Sequence, residues 1–115
     1  MSDLIVDATD ETFDALLDSR KPLVVDFWAT WCQPCLQIAP WLERFAAEYE
    51  GRVRVAKVDV DRCPRAASEF QVRAVPTFMI AHRGEIVEIQ SGGDPHSLKA
   101  LFEQAAALGK LPQTR

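Results

Sequence analysis

The stretch Leu23-Val24-Val25-Asp26-Phe27-Trp28-Ala29-Thr30-Trp31-Cys32-Gln33-Pro34-Cys35 joins two patterns of different period. Leu23 to Ala29 is a short, almost unbroken apolar run, the pattern of a strand covered on both faces. Downstream, Ile38, Trp41, Leu42, Phe45, Ala46 and Tyr49 recur at the spacing of one helical face. Carried back three residues, that stripe reaches Cys35. Cys35 is therefore expected to point inward, and Cys32 to sit at the helix start, nearer solvent.

That position favours a thiolate on Cys32. A helix N-terminus presents unpaired N–H groups and about half a positive charge. A thiol there ionises more easily, and the thiolate is the nucleophile. Residues at i and i+3 on a helix have Cβ atoms roughly 5–6 Å apart, close enough for a disulfide after a small adjustment. Pro34 suits the first turn, where its missing N–H removes no helix bond. The pair can switch between dithiol and disulfide with little rearrangement. A purely structural disulfide would close a loop of a few residues and gain little. A zinc site needs four ligands, and only Cys63, His82 and His96 remain, without ligand-like spacing. Both readings stay open as rivals to redox catalysis.

Length and composition set the frame. A chain of 115 residues fits one domain with a real core, read as residues 1–108 with a frayed tail over 109–115. The net charge of −4 is spread along the chain with mixed signs, so no basic run points to nucleic acid or an anionic membrane. The first residues lack a basic n-region and a long apolar stretch, so no secretory signal is expected. Nothing approaches membrane-spanning length. Three cysteines make a poor disulfide framework, and a reducing, cytoplasmic location is the expectation.

Along the chain, Leu4-Ile5-Val6 reads as a first strand, and Thr9 as the N-cap of a helix with Phe13, Leu16 and Leu17 inward. Pro40 interrupts the long helix, which ends at Glu50-Gly51-Arg52. Val53 to Val60 is β-branched and reads as a strand. A short helix starts at Pro64 and ends near Phe70. Thr77–Ala81 and Ile86–Gln90 flank Arg83-Gly84 as a hairpin. Asp94 caps and Pro95 starts a last helix, with Leu98, Leu101, Phe102 and Ala105 inward. His82 and His96 are expected at the surface. Strands alternating with helices imply parallel crossovers, with the hairpin adding an antiparallel edge.

With these pieces in order, the chain resembles the thioredoxin family over nearly its full length. Val24–Ala29 with Trp31-Cys32-x-Pro34-Cys35 is similar to the family's strand and active-site signature. Ile38-Ala39-Pro40, Lys57-Val58-Asp59, Val72–Thr77, Gly84 and Gly92 fall in register with further family motifs. Departures lie close to the chemistry: Gln33 stands where glycine is usual, Leu36 where a cation is common, Trp41 where an aliphatic residue is common, and Ala74 where glycine is frequent.

The resemblance implies an α/β thioredoxin fold: a central, mixed, mostly parallel sheet with an antiparallel C-terminal hairpin, flanked by four helices. It implies a monomeric protein-disulfide reductase without a bound cofactor, recharged by a thioredoxin reductase that uses NADPH, with disulfide-containing proteins as substrates. Cys32 would attack the substrate and Cys35 would resolve the mixed disulfide. Asp26 is a carboxylate in a buried strand, so its pKa should be raised. The resemblance makes it the proton relay for Cys35, tuned by Lys57. Pro76 would be cis, with the Val75 backbone pairing with substrate. Trp31, Ala74, Val75, Gly92 and Gly93 would form the docking rim, joined by Gln33 and Pro34 between the thiols.

A relative biased toward oxidation, isomerisation or one client is one alternative; a non-catalytic binding or holdase module is another. Cys63 has two readings. It is a small buried side chain, or a regulatory thiol activated at the N-cap of the helix opened by Pro64.

Overall fold

The apolar run forms β2 (Leu23–Trp28), the middle strand of a five-stranded sheet ordered β1-β3-β2-β4-β5. The computed structural model describes residues 3–110. Its other strands are β1 (Ile5–Asp7), β3 (Arg54–Asp59), β4 (Thr77–His82) and β5 (Glu85–Ser91). The helices are α1 (Phe13–Leu17), α2 (Gln33–Glu48), α3 (Pro64–Glu69) and α4 (Pro95–Leu108). β1 and β2 run parallel to β3, whereas β2–β4 and β4–β5 are antiparallel.

The antiparallel character thus extends beyond the expected hairpin to the β2–β4 ladder. β4 starts beside the end of β2, with Thr77 opposite Phe27, and runs back along it.

Alternation along β2 divides the core in two. Val24 joins Val55, Phe78 and Ile80 beneath Ile38, Leu42 and Phe45 of α2 and Leu98, Leu101 and Phe102 of α4. Val25 and Phe27 face the other way, with Val58 and Met79 against Phe13 and Leu16 of α1 and Ala66 of α3. Each such fully buried Leu or Phe stabilises the fold by roughly 1.5–3 kcal/mol. Asp26 shares the face of Val24, two residues nearer the cysteines.

Regular helix in α1 begins later than expected. Thr9 Oγ1 accepts from the Thr12 N–H at 3.1 Å, and Thr12 Oγ1 accepts from the Thr9 N–H at 2.9 Å, a reciprocal cap. Residues 10–12 form a turn, and regular helix begins at Phe13. Asp10 has another task. Its carboxylate accepts the N–H groups of Arg65 and Ala66, at 3.3 and 3.0 Å, and so caps α3 from a distant part of the chain. At α4 the expectation holds: the Asp94 carboxylate accepts from the Ser97 N–H at 3.0 Å and Pro95 follows in the first turn. The remainder of the expected tail, residues 111–115, lies outside the described residues.

Candidate active site

Cys32 is the N-cap of α2, and Gln33 and Pro34 form its first turn. Cys32 and Cys35 are joined by a disulfide, with Cα atoms 5.2 Å apart. Cys32 Sγ accepts the Cys35 N–H at 3.1 Å. An N-terminal N–H aimed at this sulfur is the local source of thiolate stabilisation once the bond is reduced. Ile38, Leu42 and Phe45, further along the same helix, are held in the core and fix the first turn in place.

The disulfide is more enclosed than the sequence suggests. Cys35 is 3 % exposed, as expected for an inward residue, but Cys32 is only 4 % exposed. Both pack with Ala29, and with Trp28, Val60 and Val75 at the margin. The loop before β4 accounts for the cover: Val75 O lies 3.6 Å from Cys32 Sγ. Val75-Pro76 is a cis peptide bond. Thr77 Oγ1 donates to Ala74 O at 2.6 Å, and the Gly92 N–H donates to Pro76 O at 2.9 Å, so both flanks of this loop are tied to the sheet.

Glycine suits positions 92 and 93 for different reasons. Gly92 has φ +112°, a conformation that side chains rarely adopt. A Cβ on Gly93 would come within 3.2 Å of Pro76 Cγ and 3.4 Å of Pro34 O. Gly93 therefore lets the end of β5 close on both the proline loop and the start of α2.

Trp31 stands out from the surface, 66 % exposed, with its indole N–H donating to Asp61 Oδ2 at 2.8 Å. Together with Val60, Val72, Arg73, Ala74 and Val75 it lines a groove of about 330 Å³ beside the sulfurs. Gln33, Pro34 and Ala74 are exposed around it, and Leu36 is 43 % exposed one turn into α2. Asp61, which orients Trp31, had no distinguishing signal in the sequence. It is one of several surface acids, and only the fold brings it to the indole.

Asp26 is 2 % exposed, and its Oδ1 has no hydrogen-bond partner. Burial pushes its pKa from an ordinary 3.8 to about 7, with the Lys57 charge opposing part of that rise. Asp26 and Lys57 are register partners on β2 and β3. The Lys57 ammonium lies 4.1 Å from the centre of the Trp28 ring, a cation–π contact that keeps it near the acid without a direct ion pair.

Cys63 is buried, and its surroundings disfavour a thiolate. It occupies the N-cap position of α3, but its Sγ donates to Ala8 O at 3.4 Å instead of capping the helix. Burial pushes its pKa up, and the nearby Asp10 and Asp59 charges push it further. Asp10 takes the helix-end N–H groups that would have favoured a thiolate. These surroundings favour the small-buried-side-chain reading over the regulatory one.

His82 is half-buried at the end of β4, while His96 is exposed. Among the described residues no group of three or more His, Cys, Asp or Glu side chains is placed to hold a metal ion. Likewise, no described helix is long and apolar enough to cross a membrane.

A helix-end disulfide under a cis-proline loop, in a five-stranded mixed sheet flanked by helices, defines a thiol–disulfide exchange protein. The thioredoxin family model matches residues 4–104, and the chain belongs to that family. It is 46 % identical over 103 residues to thioredoxin C-2 of Corynebacterium nephridii, covering 89 % of this chain and 95 % of that protein. It is 45 % identical over 87 residues to the thioredoxin of Thiocapsa roseopersicina, covering 75 % and 96 %. Among solved structures, Malassezia sympodialis thioredoxin (Mala s 13) superimposes with a TM-score of 0.84 at 34 % identity, covering 92 % and 93 %. Mitochondrial thioredoxin 3 of Saccharomyces cerevisiae, in its oxidised form, gives 0.81 at 35 % identity, covering 87 % and 94 %. The chain is a thiol–disulfide oxidoreductase of the protein-disulfide reductase kind.

Proposed function

We propose that Cys32 and Cys35 divide the reductase reaction between attack and resolution. The Cys32 thiolate attacks one sulfur of a substrate disulfide, and the other substrate sulfur leaves as a thiolate. Cys35, deprotonated by the Asp26 carboxylate, then attacks Cys32 Sγ and releases the second substrate thiolate. Two electrons pass to the substrate, and the Cys32–Cys35 bond re-forms. The observation that carries this division is the hydrogen bond from the Cys35 N–H to Cys32 Sγ at the start of α2. It marks Cys32 as the sulfur whose anion the helix favours. Lys57 tunes Asp26, whose pKa of about 7 suits proton exchange near neutral pH.

Substrate docks on the groove beside Trp31, with an extended segment pairing to the Val75 backbone and its side chains meeting Ala74, Gly92, Gly93, Gln33 and Pro34. Main-chain pairing accommodates many sequences, which fits a general reductase. The protein acts as a monomer in a reducing compartment, the cytoplasm, and needs no cofactor of its own. A thioredoxin reductase drawing on NADPH restores the dithiol. The test is turnover of a protein disulfide in a mixture of this chain, thioredoxin reductase and NADPH. Steady NADPH consumption is the expected result, and none beyond the rate without the chain refutes the reading.

Leu36 offers a finer check. A lysine there adds a favourable charge near Cys32, worth about 0.5–1 kcal/mol at an exposed site. Leu36→Lys should raise the thiolate fraction of reduced Cys32 about two- to fivefold at mildly acidic pH, read by thiolate absorbance or alkylation rate. The gain should shrink in 1 M salt.

A further inference from the structure

The end of the sheet away from the cysteines carries a feature that disulfide exchange does not use. Arg20, Lys21, Arg52, Arg83 and Lys110 converge on one groove of about 290 Å³. They come from the entry to β2, the loop before β3, the β4–β5 turn and the end of α4. No carboxylate lines the groove. The chain as a whole has a net charge of −4, yet five of its thirteen Lys and Arg residues meet here. The groove at the finishing ends of β1 and β3 is mixed by contrast, with Asp7, Asp10, Glu11 and Asp59 beside Lys57 and Arg62.

These cations have no partner of opposite charge. Among the described residues the one ion pair joins Lys99 to Glu48, so none of the five has a carboxylate within 4 Å. Two are held in place. The Arg52 guanidinium stacks over the Tyr49 ring at 4.7 Å and donates to Glu48 O at 3.4 Å. Arg83 sits at φ +56° in a turn whose N–H groups, its own and that of Gly84, donate to Ser19 O and Leu17 O at 3.3 and 3.0 Å. The backbone that carries Arg83 is pinned to the residues preceding β2. α2 and α4 both end here, and their terminal carbonyls weaken any anion site. Their negative ends account for one or two cations, not for five.

We propose that this groove binds a small organic phosphate. Three of the five cations are arginines, whose planar fork matches phosphate oxygens two at a time. Pro22, Ala106 and Gly109 supply an apolar floor, with Gly109 close against Pro22 and Ala106, and His82 closes one side. A floor of this kind accepts a ring or other apolar body, while the rim takes the phosphoryl groups. The volume lies at the small end of ligand pockets, which favours a phosphorylated metabolite over a peptide segment or a nucleic-acid strand. The site stands about 20 Å, one six-residue strand, from the sulfurs, so occupancy leaves the disulfide groove open.

Adenosine 5′-diphosphate, titrated into the 15N-labelled full chain at constant ionic strength, tests this directly. Amide shifts should saturate and cluster on residues 20, 21, 52, 82–84 and 106–110. Arg52→Ala and Arg83→Asn should each weaken binding about tenfold, the scale of a lost charge-assisted hydrogen bond. Asparagine tolerates the left-handed backbone at position 83, which protects the turn. Both variants should reduce a protein disulfide at the unaltered rate. Pyrophosphate, which lacks the ring, should bind at least fivefold more weakly. Shifts that never saturate, or that sodium chloride reproduces, overturn the proposal. So do unchanged affinity in both variants, pyrophosphate binding as tightly as the nucleotide, or tighter binding of a short single-stranded oligonucleotide or an acidic peptide.

Discussion

Cys32→Ser should lower turnover of a protein disulfide by roughly 10³-fold or more, the scale on which losing a nucleophile registers. Cys35→Ser should also stop turnover, but with a different product. Its Cys32 still attacks, the second sulfur is missing, and substrate accumulates as a stable mixed disulfide. The contrast follows from position. Cys32 Sγ receives the Cys35 N–H at 3.1 Å and lies 3.6 Å from the carbonyl oxygen of Val75, a residue that lines the groove beside Trp31, whereas Cys35 lies on the inward stripe that continues through Ile38 and Leu42. Non-reducing electrophoresis followed by mass spectrometry reads the outcome. Trapping by Cys32→Ser instead of Cys35→Ser would reverse the assignment of attack and resolution.

Asp26→Asn should stabilise the oxidised protein at pH 8 by about 4 kcal/mol, and hardly at all at pH 4. The carboxyl has a pKa of about 7 in the fold, raised by burial, and 3.8 when exposed in the unfolded chain. Between those values the folded state holds the proton more tightly than the unfolded state. Stability from this group is therefore full below about pH 4 and falls with rising pH by about 1.4 kcal/mol per unit up to about pH 7. Above that the ionised acid sits unpaired in the core, and an uncharged amide removes the burden. Denaturant unfolding of both proteins at pH 4 and pH 8 checks the sign. An equal difference at the two pH values would show that packing, and not charge, sets the effect. The proposed role of Asp26 as proton acceptor for Cys35 further predicts that the same substitution slows resolution of the mixed disulfide.

Local physics made much of this molecule readable in advance. The apolar run before Trp28 announced a two-sided strand, the 3.6-residue stripe from Cys35 onward announced α2, and Asp94-Pro95 marked the start of α4. The cis bond at Pro76 came from family resemblance, because an X–Pro pair by itself says little about its isomer. What stayed hidden depends on pairs remote in sequence. Asp10 caps α3 across more than fifty residues, which places a carboxylate near Cys63. Asp61 finds the Trp31 indole only after β3 and β2 are paired. The cations of the basic groove are scattered along the chain, so no local run announces them. The enclosure of Cys32 is set by Val75, more than forty positions away.

The short spacing of the two sulfurs has a kinetic corollary. Loading and unloading the electron pair alters one bond within a single helical turn, so the molecule presents nearly the same outline whether full or empty. Donor and acceptor must then approach the same doorway, and they exclude each other. Traffic through this carrier alternates, and an excess of either visitor slows the other by simple competition.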